Sequence, residues 1–149
     1  MTAPTATTVR EQIQTLLDDY AAAITARDSR RAVAHYAPQV VSFNLAPPLS
    51  YAGDEALDPA GFEGWFQTWA GPIGYDIGEP VIEAGDDVAF CHGLSHMTGT
   101  KTDGERVDLW FRSTFGFRRT AEGWQITHEH VSTPFYMDGS GRAALDLKP

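Results

Sequence analysis

The chain has 149 residues, a net charge of −9 and 42% hydrophobic content, which fits one globular domain with a substantial core. The acidic balance argues against nucleic acid and anionic membrane as partners, because both need a basic patch, and Arg30-Arg31 and Arg118-Arg119 are only doublets. No apolar run is long enough to suggest a membrane span, Met1–Thr7 lacks the basic start and apolar centre of a secretory leader, and the single cysteine, Cys91, reads as a packed thiol suited to a reducing cytoplasm.

Thr8 and Glu11 make a capping box, and Val9, Ile13, Leu16, Leu17, Tyr20 and Ile24 recur at helical spacing, so a first helix is expected there. Arg27-Asp28-Ser29 breaks it, and Asp28 or Ser29 can cap a short second helix carrying Val33 and Tyr36, ended by Pro38. Val40–Leu45 reads as a strand, stopped by Ala46-Pro47-Pro48 because proline cannot donate to a ladder. Asp58-Pro59 signals a third helix, running to about Trp69 and presenting Phe62, Trp65, Phe66 and Trp69. Strands are then expected near 75–83, 88–100, 106–118 and 124–134, with a surface tail from about 135. Helices followed by a meander predict a single α+β domain over residues 1–149, its helices packed on one face of a curved antiparallel sheet.

The segment Trp124-Gln125-Ile126-Thr127-His128-Glu129-His130-Val131-Ser132 holds the most chemistry. Strict alternation places Trp124, Ile126, His128, His130 and Ser132 on one strand face. Imidazoles among large apolar groups suggest either a lined cavity or a pair of hydrogen-bonded core histidines, and histidine titrates near neutral pH. Register sharpens the expectation. If Asp103-Gly104 is a two-residue hairpin turn, His92 faces Phe115 and His96 faces Phe111. If Thr120–Gly123 closes the next hairpin, Arg119 pairs with Trp124, Phe115 faces His128 and Ser113 faces His130. The two hairpins then place His92, His96, Phe111, Phe115, His128 and His130 in one concavity. The opposite face would carry Trp110, Arg112, Glu129 and Val131, with Arg112 diagonal to Glu129 as a surface ion pair.

The stretches Tyr20–Asp28, His35–Asn44 and Gly123–Ser132, in this order of elements, resemble the nuclear transport factor 2-like superfamily, which includes ketosteroid isomerase and the SnoaL-like polyketide cyclases. The resemblance implies a cone-shaped domain with a pocket between helices and sheet, and frequent homodimers. It matches Tyr20 to the isomerase's oxyanion-stabilising tyrosine. It also puts Asn44 where that enzyme has its aspartate base and Phe115 where it has a second acid. Two of three groups are missing, which argues against steroid isomerisation by that route.

The histidines are then the remaining titratable groups on the derived face. His128 and His130, about 6.5–7 Å apart along one strand, could share a substrate as acid or base. Tyr20 would donate to developing oxygen charge and Asn44 would orient the substrate. His92, His96, Trp65, Trp69, Phe111 and Phe115 complete the expected lining. No third ligand converges without Phe115 intervening, so neither metal nor cofactor is expected. The sequence thus predicts a cytoplasmic, homodimeric acid–base enzyme of lyase, dehydratase, cyclase or isomerase type, acting on a small, largely apolar molecule. The alternative is a non-catalytic ligand-binding or interaction module.

Overall fold

The computed structural model describes residues 7–149. Met1–Ala6, most of the segment read above as carrying no leader, lie outside the described residues. Helix α1 (Val9–Thr25) starts at the expected cap, with the Thr8 hydroxyl accepting the Glu11 N–H at 3.2 Å. One stripe of it is buried: Ile13, Leu16, Leu17, Tyr20, Ala23 and Ile24. Arg27 follows in the left-handed region at φ 57°, and its guanidinium donates to the Phe66 carbonyl at 2.8 Å. Helix α2 (Ser29–Val33) is capped by the Asp28 side chain.

Three expected boundaries move. Tyr36 opens strand β1 (Tyr36–Phe43) rather than belonging to the second helix. Pro38 lies inside that strand, within the irregularity where pairing shifts between Tyr36 and Val41, a place where its missing donor is tolerated. The third helix is divided: after the short β2 (Tyr51–Ala52) come α3 (Asp54–Leu57) and α4 (Pro59–Phe66), which stops short of Trp69. The strand expected over 75–83 is likewise two, β3 (Gly74–Asp76) and β4 (Val81–Ala84), both paired with β5 (Val88–Thr100). Strands β6 (Arg106–Thr120) and β7 (Gly123–Ser132) complete the meander.

The sheet has seven strands in the order β2-β1-β7-β6-β5-β3, with β4 also on β5. It is mixed rather than wholly antiparallel, because β1 runs parallel to β7. α1 packs into the concave face over a core that includes Leu17, Ile24, Phe115, Phe117 and Ile126. The result is the expected single α+β domain, a cone with a cavity between helices and sheet. No helix among the described residues is long and apolar enough to cross a membrane.

Register is where structure and sequence part. The β5–β6 turn has three loop residues, Thr102-Asp103-Gly104, closed by Lys101 N–H donating to the Glu105 carbonyl at 2.8 Å. Gly104 takes φ 90°, the left-handed position of a three-residue hairpin with a bulge. Pairing therefore slips by one residue from the two-residue expectation: Cys91, not His92, lies opposite Phe115, and Ser95 opposite Phe111. The β6–β7 hairpin starts as expected, with Arg119 opposite Trp124, but Thr127 is an extra residue between the pairs Phe117–Ile126 and Gly116–His128. Past this bulge Glu129 lies opposite Phe115 and Val131 opposite Ser113. A one-residue slip exchanges the two faces of a strand. Both histidine-bearing segments are thereby turned outward.

Gly104 gives a direct check on the turn. A Cβ there would meet nothing within 4 Å, so Gly104→Ala tests backbone strain alone. The expected result is a loss of about 1 kcal/mol, read as a lowered urea midpoint at unchanged slope. An unchanged midpoint would contradict the three-residue turn.

Candidate functional site

The inward turn of Glu129 builds the site. Its carboxyl is almost fully buried, at 4% exposure. The Tyr20 hydroxyl, from α1, donates to its Oε1 at 3.0 Å. The Tyr36 hydroxyl, from β1, donates to its Oε2 at 2.6 Å, and Ser42 Oγ reaches the same oxygen at 3.4 Å. The two phenols are themselves 2.8 Å apart, oxygen to oxygen. Tyr20 also stands edge-on to the Phe115 ring at 5.9 Å, so a core aromatic sets its position.

Burial pushes the Glu129 carboxyl above the usual carboxylate range, opposed by hydrogen bonds from Tyr36, Tyr20 and Ser42 and by His128 on the strand behind it. Burial and the neighbouring carboxyl push both phenols, Tyr20 and Tyr36, upward. The cluster therefore favours its protonated forms.

A cavity of about 310 Å³ opens beside the cluster. Its walls include Tyr20, Tyr36, Tyr75, Phe62, Trp65 and Phe111, and its mouth includes Asn44, Glu55 and Asp58. Of the site residues expected from sequence, Tyr20, Asn44, Trp65 and Phe111 line this cavity. Ser42 Oγ is 2.9 Å from Asn44 Oδ1 and donates to it, linking the mouth to the Glu129 cluster.

The other expected residues lie elsewhere. His128 and His130 are on the outer sheet face, because the Thr127 bulge reverses the strand. His128 Nδ1 pairs with the Val41 carbonyl at 2.7 Å, and His130 is exposed beside Phe43, ring centroids 5.3 Å apart. His92 and His96 are outward through the β5 slip. His96 stacks on Trp110 at 4.2 Å and meets Asp108 at 2.5 Å. Phe115 is fully buried behind Tyr20 rather than in the wall. Trp69 sits in the core under the Lys101 ammonium, 3.9 Å from its ring, with its indole N–H unpartnered among the described residues. The expected Arg112–Glu129 surface pair does not form; Arg112 donates to Ser132 and Val131 is buried. Cys91 is the expected packed thiol, pushed up to about 11 by burial. Among the described residues, no three His, Cys, Asp or Glu side chains gather as a metal-ligand set.

A family profile described as SnoaL-like domain matches residues 13–136, from within α1 through the cavity walls and the whole sheet. The chain belongs to the SnoaL-like family. Solved structures agree on this fold. An NTF2-like protein of unknown function from Pseudomonas putida KT2440 is 31% identical over 93% of this chain and 94% of its own, with a TM-score of 0.81. A nuclear transport factor 2 (NTF2-like) superfamily protein from Salmonella enterica is 18% identical over 89% of this chain and 96% of its own, with a TM-score of 0.74. A ketosteroid isomerase-like protein from Erwinia carotovora atroseptica is 24% identical over 80% of this chain and 92% of its own, with a TM-score of 0.67. A search of curated proteins finds no match. Within this SnoaL-like chain Glu129, Tyr36 and Ser42 are the site residues that sequence reasoning missed. The available signal was a change of phase in β7: Ile126 is an inward apolar residue at an even position and Val131 at an odd one, which requires a bulge between them.

Proposed function

We propose that the protein is an acid–base enzyme on a small, largely apolar molecule, with Glu129 as the proton-carrying group and Tyr20 and Tyr36 as its hydrogen-bonded partners. The observation that carries this reading is a buried carboxyl closed into a ring with two phenols beside an aromatic cavity. Three oxygen–oxygen contacts close that ring, and two phenolic protons fill only two of them. A third proton on Glu129 fills the ring, one phenol then accepting from the carboxyl and donating to the other phenol, in keeping with burial, which disfavours the charged form of Glu129. The resting site is then neutral and proton-loaded.

Such a site gives its proton to a hydroxyl or carbonyl oxygen of the substrate. The carboxylate left behind takes a proton from the neighbouring carbon, so that water leaves as a double bond forms, or a ketone becomes its enol. Glu129 is restored in either case, so one cycle of proton transfer serves dehydratase, lyase or isomerase chemistry. The histidine assignment is replaced by this one.

The test uses 2-tetralone in D₂O, with NMR reading loss of its α-proton signals. Wild-type protein should speed the exchange and Glu129→Gln should not. Equal exchange by both leaves a ligand-binding cavity without catalysis.

We also propose a homodimer formed through the outer sheet face that bears Trp110. Val81, Val88, Phe90 and Leu94 are each about half exposed, an apolar area larger than isolated surface residues would make. Sedimentation should give twice the 16.3 kDa chain mass at micromolar concentration, and Phe90→Glu with Leu94→Glu should give monomer. A wild-type monomer would rule this interface out.

A further inference from the structure

Two phenols of the cavity lining, Tyr51 and Tyr75, stand outside the proton ring, and Tyr75 is the one beside it. It sits on β3 opposite Met97 of β5, and both residues line the cavity. Its ring stands edge-on to Tyr20 at 6.5 Å and tilted against Phe111 at 6.0 Å, so aromatic packing fixes its position on the wall shared with the ring. The hydroxyls of Tyr20 and Tyr36 are engaged with Glu129, and the Tyr51 hydroxyl donates to the Pro47 carbonyl at 3.4 Å. Among the described residues the Tyr75 hydroxyl has no hydrogen-bond partner.

The charges around the cavity restrict what can use that donor. The lining holds the carboxyls of Glu129, Glu55 and Asp58 and no lysine, arginine or histidine. An anion entering would be desolvated with nothing positive to receive it. A cation would find the Glu129 oxygens engaged with Tyr20 and Tyr36, and the other two carboxyls, Glu55 and Asp58, exposed to water where ion pairing is weak.

We infer that Tyr75 is a ligand-binding residue whose hydroxyl donates to an oxygen of the ligand, and that the ligand is uncharged: a ketone or alcohol whose apolar body lies against Phe62, Trp65 and Phe111. Burial and the nearby Glu129 carboxyl push the Tyr75 phenol upward, so it remains a donor across the working pH range. The use of the held oxygen in catalysis rests on the acid–base reading above; the grip itself does not.

Four probes of one shape separate the terms: 2-tetralone, the hydrocarbon tetralin, the anion 2-naphthoate and the cation of 2-aminotetralin. Their affinities are measured for wild type and Tyr75→Phe. Wild type should bind 2-tetralone best and 2-naphthoate worst. Tyr75→Phe should weaken 2-tetralone by roughly 3–10-fold, the worth of one neutral hydrogen bond, and leave tetralin unchanged. The carbonyl stretch of bound 2-tetralone should move to higher wavenumber in the variant, a change that a merely packing role for Tyr75 would not produce.

Equal weakening of tetralin, an unmoved carbonyl band, tighter binding of either charged probe, or no uncharged probe binding at millimolar concentration would each overturn the inference. The two readings fail separately. If Tyr75→Phe behaves as stated while Glu129→Gln still exchanges α-protons, the grip stands and the acid–base reading falls.

Discussion

If Glu129 carries the proton as proposed, Glu129→Gln should lower the proton-transfer rate by ~10²–10⁴-fold, the usual loss when a positioned acid–base group is removed. The amide keeps the size of the carboxyl, and its oxygen can accept from one phenol while its NH2 donates to the other, so the fold remains and 2-tetralone still binds. The variant also has a pH signature of definite sign. Burial raises the folded carboxyl above its ordinary 4.5. Below pH 4.5 it is protonated in folded and unfolded chains alike and its protonation costs nothing. As pH rises, the unfolded chain ionises first, so wild-type stability falls until the folded carboxyl titrates as well. Tyr20, Tyr36, Tyr75 and His128 face the group from α1, β1, β3 and its own strand, and the three phenols, pushed upward by burial, keep their protons throughout this window. Glutamine does not titrate, so melting temperatures of wild type and variant should diverge upward from pH 4.5, with the variant gaining. Parallel curves would mean that Glu129 is ionised at rest.

Phe115→Ala should cost about 3–5 kcal/mol, near the top of the range for one core aromatic. The ring is fully buried, stacked on Phe117 at 6.2 Å and edge-on to Tyr20 at 5.9 Å. For a chain of this size that loss lowers the melting temperature on the order of 10 °C, measurable by calorimetry. Because Phe115 backs Tyr20, the variant should also loosen the hydroxyl ring and weaken 2-tetralone binding at temperatures where it stays folded. A loss below about 1 kcal/mol would show that the site can collapse around the vacancy and that Tyr20 does not depend on this ring.

Local chemistry made much of the fold legible. Thr8 and Glu11 announced α1, Asp58-Pro59 announced α4, and Phe111, Phe115 and Phe117 identified the inward face of β6 because no competing phase is apolar there. In β5 both phases are plausible, Ala89, Cys91 and Met97 against Val88, Phe90 and Leu94, so the face depended wholly on the turn. Asp103-Gly104 fits a two-residue loop as readily as the last part of a three-residue one, and only the backbone of Thr102 separates them. The cavity-lining residues Tyr20, Asn44, Trp65 and Phe111 survive that error, being fixed by helices, a strand end and β6. Glu129 did not, because its burial follows from long-range contacts to Tyr20 and Tyr36, which periodicity within one strand cannot register.

The bulge at Thr127 makes β7 a strand with two possible chemistries in series. In one phase it offers imidazoles from His128 and His130; in the other it offers a carboxyl from Glu129. A single inserted or deleted residue is enough to exchange them, with every helix and every other strand left in place. Insertion or deletion can therefore exchange the set of side chains that β7 presents to this cavity in one step, where point substitution changes them one position at a time.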